Sequence, residues 1–351
     1  MKKITLASLF FFISMFQLNA QTIDIAIASK KIYALTKQGN IRVFTKSDLK
    51  EINKKIINSS KIVSIAIDRK ENLIIADEKN EIKRYDEVKD SWKIISKNIN
   101  QLSSIVFDTN NHCFAITNEG IKDLETHKIY ISNKSLNTQI HYNGKWGVPY
   151  CCYIDKIDRI WLGFGYGEWG GNIIIFDTKN KKFLTPDTGA FKIELLPIKS
   201  FFEDKSSIYF SSGLNHMGVS GAIVRFDDLK ASTIIQDESY DTKYTVVGND
   251  TIKSRDADYI GPATFNFFNN SIYFYSQNGI LKGEKTKDLS KIENWDLVIK
   301  PELTWISGQP DAVGSPMNVL KLMILDEKRF IFLSQNNGIG YYDGTNITMI
   351  Q

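Results

Sequence analysis

Seven side chains scattered over segments rich in Gly, Ser and Asn have the types that bind or transform a ligand. Trp146, Tyr166 and Trp169 offer aromatic faces, and Glu168, His216, Asp256 and Asp258 offer hydrogen-bonding or proton-transferring groups. Aromatic rings beside carboxylates and amides suit a ligand with an apolar face and polar edges, such as a carbohydrate or a peptide, because stacking supplies area while polar groups fix orientation. The leading reading makes these seven the contacts of a non-catalytic binding site. The same carboxylates and imidazole are also the groups of general acid–base chemistry. The alternative is therefore a lyase or hydrolase with Glu168 or His216 as the acid/base, assisted by Ca²⁺ held by Glu168, Asp256, Asp258 and loop carbonyls. A purely structural reading competes with both, in which the glycines turn the chain and the aromatics fold back onto the scaffold.

Other chemistries are disfavoured. The four histidines, His112, His127, His141 and His216, show no H-x-H or H-E-x-x-H spacing, so no transition-metal site is expected and no cofactor is required. G-x-S-x-G, P-loop and dinucleotide fingerprints are missing. Residues 1–20 read as an export signal, with Lys2 and Lys3, an apolar run from Ile4 to Phe16 and a small-residue end at Leu18-Asn19-Ala20. That run is shorter than the roughly 20 residues a membrane span needs, so cleavage and a secreted or periplasmic product of residues 21–351 are expected, with no membrane insertion. Removing Lys2 and Lys3 takes the formal charge from +4 to +2, a balance that argues against nucleic acid as a partner. Three cysteines, Cys113, Cys151 and Cys152, make no disulfide framework. The adjacent pair reads as two small apolar residues opening a buried strand, with a strained vicinal bridge as the alternative.

The elements that must position these residues repeat. Residues 149–177 hold the clearest unit, with apolar runs at Cys151–Ile154, Ile160–Leu162 and Ile173–Phe176, the first and third ending on Asp155 and Asp177. Aligning second runs gives seven apolar anchors: Ile32-Tyr33, Leu73-Ile74, Cys113-Phe114, Ile160-Trp161, Ile208-Tyr209, Ile272-Tyr273 and Phe330-Ile331. Their spacings run from 40 to 64 residues, the period of a four-stranded propeller blade with insertions in the longer units. First runs alternate, as in Val63-Ser64-Ile65-Ala66-Ile67, which is the period of a strand packed on one face. An acidic residue precedes each of several anchors, at Asp68, Asp108, Asp155, Glu203 and Asp326, where a carboxylate can accept backbone N–H groups and fix a turn. Third runs end on an aromatic-Asp pair at Tyr85-Asp86, Phe176-Asp177, Phe226-Asp227 and Tyr342-Asp343, and recurrence marks these aspartates as structural. No helix-period segment of useful length follows the signal. The expectation is an all-β, seven-bladed β-propeller of four-stranded antiparallel blades, one domain over 21–351, with the first and last units each supplying four strands of their own and a sheet completed from both termini as the alternative closure.

With Asp68…Asn72-Leu73-Ile74-Ile75-Ala76 and Asp155…Asp158-Arg159-Ile160-Trp161-Leu162-Gly163 in view, the repeats resemble those of two-component-regulator sensor propellers, most clearly in units 2 and 4. The family has Gly ahead of the apolar pair, where this chain has Asn72 and Asp158. The resemblance implies a periplasmic or extracellular ligand-sensing propeller, although no kinase module or β-sandwich accompanies it here. In such a strand order the loops between second and third strands share a face with those joining successive blades. Residues 163–171 and 211–221 then read as long neighbouring loops on that face, joined by interblade loops at 139–149, 254–262 and 304–316. The opposite face or the rim is left for a protein partner.

Overall fold

The computed structural model describes residues 21–56, 58–132, 147–166, 170–215, 219–239, 242–247, 250–255, 257–303 and 319–350, with the side chains of 53–55 and 242–255 not described. The signal read at 1–20 lies outside them.

Seven four-stranded antiparallel sheets follow one another, each in simple sequence order. Blade 1 is Thr22–Ile27, Lys31–Thr36, Ile41–Thr45 and Glu51–Ile56. Blade 2 is Ile62–Ile67, Leu73–Asp77, Ile82–Asp86 and Ser91–Ser96, and blade 3 is Leu102–Phe107, Cys113–Thr117, Gly120–Asp123 and Ile129–Tyr130. Blade 4 is Cys151–Ile154, Arg159–Gly165, Gly171–Asp177 and Lys182–Leu184, and blade 5 is Ile198–Glu203, Ile208–Asn215, Val219–Asp227 and Lys230–Ser239. Blade 6 is Ala263–Asn266, Ser271–Ser276, Gly279–Glu284 and Trp295–Ile299, and blade 7 is Val319–Ile324, Phe330–Ser334, Gly338–Tyr342 and Ile347–Ile350. Among the described residues the helical content is two 3-10 turns, Ile193–Leu195 and Ile292–Asn294. All seven anchors lie on second strands. The molecule is a seven-bladed β-propeller.

Why the sheets close into a ring is visible at their faces. Second strands are buried on both sides, as at Leu73–Asp77 and Phe330–Ser334, so each must meet a neighbour on either face. Trp161 is fully buried between blades 4 and 5, with ring centroids 6.0 Å from Phe201 and 5.3 Å from Phe226. Blade 7 closes on blade 1 through Leu325, Ile331, Leu333 and Ile339 against Ile25, Ile32, Ala34 and Phe44. Arg329 Nη1 adds a bond to the Ser47 carbonyl. Each terminal blade is thus a complete sheet, and the ring shuts by side-chain packing between two finished blades.

Aspartate turns stitch the face carrying the first-to-second strand connections. Asp68 Oδ1 accepts the N–H groups of Lys70 and Asn72, both at 2.9 Å. Asp108 serves Asn110 and His112, and Asp155 serves Ile157 and Arg159, in the same way. The residue three past each aspartate, Glu71, Asn111 or Asp158, has φ between 64° and 71°, and its side chain accepts an N–H from the preceding blade's turn. Those donors are Ser29 to Glu71, Arg69 to Asn111 at 2.7 Å and Thr109 to Asp158 at 2.7 Å. In blade 5 the sequence reading is off by one. Asp204, not Glu203, accepts Ser206 and Ser207 N–H groups, because this turn is one residue shorter, like that of Asp326 with Lys328 and Arg329. Glu203 instead accepts the Lys156 N–H from blade 4 at 3.2 Å.

Two further expectations are corrected. The segments 163–171 and 211–221 are not wholly loop: residues 163–165 and 171 in blade 4, and 211–215 and 219–221 in blade 5, belong to strands, with pairing continuing to Gly165↔Gly171 and Asn215↔Val219. The extra length before blade 6 is a two-stranded hairpin, Thr242–Val247 and Asp250–Arg255, so Arg255 belongs to a strand and not to an interblade loop.

Candidate functional site

First strands of every blade but the second line a cavity of about 780 Å³ running along the propeller axis. Each first strand starts beside the second-to-third strand connections, as shown by the Ile62 N–H donating to the Gly39 carbonyl and Ile99 N–H to Asn80. The side chains near those starts, Tyr150, Cys151, Lys199, Asp24 and Lys321, therefore sit at the same end as the protruding hairpins of blades 4 and 5. Glu203, Phe267 and Phe268 lie toward the other end, where first strands finish.

Glycines explain how the hairpins meet the next blade. A Cβ at Gly170, where φ is +89°, would lie 1.5 Å from the Glu194 carbonyl oxygen, and one at Gly213 would lie 2.2 Å from that of Ile260. Only a bare Cα lets the segments leading into blades 5 and 6 approach so closely. Gly170 and Gly213 thus meet a packing requirement between blades.

Among the described residues, two cationic side chains line the cavity. Lys321 pairs with Asp24 of blade 1, joining the two ends of the chain. Lys199, second residue of the first strand of blade 5, has its ammonium over the rings of Tyr150 at 4.9 Å and Tyr259 at 5.9 Å. Among the described residues no carboxylate lies within ion-pair reach of it. Burial pushes its pKa down to about 8. Burial pushes Tyr150 and Cys151 up, Tyr259 well up and Cys152 up to about 12, so all four are neutral around pH 7. At the far end burial raises the Glu203 carboxyl, opposed by the Lys156 N–H and the Tyr153 hydroxyl.

Cys151 and Cys152 are free thiols. Successive strand residues point to opposite faces, and these two do so: Cys151 packs between blades 4 and 5, Cys152 between blades 3 and 4. That divergence excludes the vicinal bridge in this fold.

Of the seven residues proposed from sequence, Trp146, Glu168, Trp169, His216 and Asp256 lie outside the described residues. Tyr166 follows the second strand of blade 4, half-buried, with its ring stacked along Phe164 at 6.3 Å and its N–H donating to the Gly170 carbonyl. Burial pushes its hydroxyl up to about 12. Asp258 leads into blade 6, where Asn278 Nδ2 donates to its carboxylate at 2.8 Å, and burial raises its pKa. It immediately precedes Tyr259, one of the rings beneath Lys199. Sequence reasoning missed Lys199 itself. The only available signal was a lysine interrupting the apolar run Leu195-Leu196-Pro197-Ile198 ahead of Phe201-Phe202. No group of three or more metal-ligating side chains occurs among the described residues, and none of their helices is long and apolar enough to cross a membrane.

Comparison with solved structures finds the same architecture. The Dos1 propeller is similar over 95% of this chain and 83% of its own, with a TM-score of 0.56 and 12% identity. U3-55K is similar over 90% of this chain and 89% of its own, with a TM-score of 0.57 and 8% identity. The computationally designed Ika8 protein is similar over 92% of this chain and 96% of its own, at a TM-score of 0.50 and 11% identity. At these identities the likeness shows the fold alone. No family model matches the chain, and neither does any curated protein.

Proposed function

We propose that this propeller is a non-catalytic ligand-binding protein that takes a carbohydrate or peptide at the hairpin-bearing end of its axial cavity. On this reading it acts outside the cytoplasmic membrane, after removal of residues 1–20. The observation that carries the reading is the cavity itself. Its volume of about 780 Å³ lies within the range of small-ligand sites, and its wall combines aromatic rings with few polar groups and one desolvated cation. Asp258 and Tyr166 border the same end, and the remaining five sequence candidates complete the expected set of contacts.

A screen of glycan and peptide arrays with wild-type protein and a folded Tyr150→Ala variant tests this. We expect binding to at least one ligand class, weakened tenfold or more by the variant. Binding that Tyr150→Ala leaves unchanged would contradict the location. Turnover of a bound glycan that Glu168→Gln abolishes while binding persists would favour the lyase or hydrolase reading.

A further inference from the structure

The geometry points to a carboxylate as the group recognised in the axial cavity, with the Lys199 ammonium as its counter-ion. This rests on the binding reading above and specifies the chemistry of its ligand. A propeller core has no structural need for an unpaired ammonium. Buried charges in folded proteins are normally paired because an isolated one is costly to desolvate. The chain shows that solution elsewhere: buried Lys83 has Asp77 at 2.6 Å, and the more exposed Lys285 and Lys321 have Asp204 and Asp24. Lys199 departs from the pattern at the one place where a lining cation faces the axial cavity without a carboxylate among the described residues. Tyr150 and Tyr259 hold the ammonium by their ring faces, a contact that orients a cation without neutralising it.

An arriving carboxylate supplies the missing charge. It forms a charge-assisted hydrogen bond with a partly buried ammonium, where such a bond is stronger than between fully hydrated groups. Its source can be a uronic acid or a peptide C-terminus, and both present a carboxylate on a body that the aromatic wall can cover. Binding is also linked to protonation. The free Lys199 loses its proton near pH 8, whereas Tyr150, Cys151, Cys152 and Tyr259 stay neutral there and Asp24 is committed to Lys321. Glu203, at the far end, contributes no positive charge. Ligand carboxylates are ionised throughout this range, so affinity should fall about tenfold between pH 7 and pH 9 as the ammonium is lost.

Calorimetric titration with two matched pairs tests the inference: digalacturonate against its methyl ester, and a phenylalanine-terminated tripeptide against its C-terminal amide. We expect the acid of one pair to bind at least fivefold more tightly than its neutral partner at pH 7, with the preference fading by pH 9. Lys199→Met should abolish the preference, and Lys199→Arg should retain it. Which pair discriminates identifies the source. Equal binding of acid and neutral partners, no binding by either acid, or a preference that survives in a folded Lys199→Met variant would overturn the inference. Ser104→Trp, on a cavity-lining strand, separates this from the broader reading. Equal acid and neutral binding lost in Ser104→Trp sinks the carboxylate and keeps the cavity, whereas binding indifferent to Ser104→Trp sinks both.

Discussion

At the scale of single residues, aspartates hold much of this fold together. Asp155 accepts Arg159 Nε at 2.8 Å and Trp161 Nε1 at 2.9 Å besides its two backbone donors. Trp161→Ala removes both a buried aromatic and one of those donors, and we expect it to cost about 3–5 kcal/mol in a denaturant titration. Asp77 gives a pH signature. Burial alone would raise its carboxyl, but bonds from Lys83, Ser60, the Glu81 N–H and Asn58 outweigh that and hold it at about 2, below the ordinary 3.8. Its stabilisation is therefore complete above about pH 4 and is lost as pH falls through 2. An acid-unfolding curve of Asp77→Asn should be flatter over that window. Lys199 runs the opposite way, since its folded pKa lies below the ordinary 10.5, so its charge opposes folding. Lys199→Met should raise the melting temperature below pH 8, with the gain fading as pH climbs toward 10.5; no gain at pH 7 would show the ammonium to be compensated. The recurring aspartates could be read from the sequence because they repeat. Lys199 could not, because a single lysine on a strand acquires meaning only when the ring shows what it faces.

Among the elements, turn length decides which residue does what. Five-residue steps from Asp68, Asp108 and Asp155 to the apolar anchors Leu73, Cys113 and Ile160 leave room for a left-handed third residue that reaches back to the preceding blade, and the four-residue steps from Asp204 to Ile208 and from Asp326 to Phe330 do not. Transferring the five-residue spacing to blade 5 is what misassigned the turn to Glu203. Asp158→Ala should cost about 2–3 kcal/mol by equilibrium unfolding. It removes two bonds from Thr109, each 2.7 Å, and leaves a side chain poorly suited to a φ of +71°. Asp158→Asn, which tolerates that backbone and keeps an acceptor, should cost less. Where blades 5 and 6 meet, Gly213→Ala drives a methyl into the Ile260 carbonyl, and the forced separation should cost about 1–3 kcal/mol. The paired hairpins of blades 4 and 5 were mistaken for loops because glycine is a turn signal in sequence, and its use for close approach shows only when the neighbouring blade is in place.

For the molecule as a whole, number of blades, strand order and self-contained terminal blades were legible because each unit repeats one pattern of burial. The axial cavity was not, since it is made by side chains from six blades that are far apart in sequence. Closure depends on the packing of blade 7 against blade 1, so the cavity exists only in the completed ring. The most direct test of its role is a crystallographic soak of wild-type protein with digalacturonate and with the phenylalanine-terminated tripeptide. The account predicts density inside the cavity at the Tyr150 end, with a carboxylate within hydrogen-bonding distance of Lys199 Nζ. A ligand seated on the opposite face by Phe267 and Phe268, or on the outer rim with the cavity unoccupied, would contradict it.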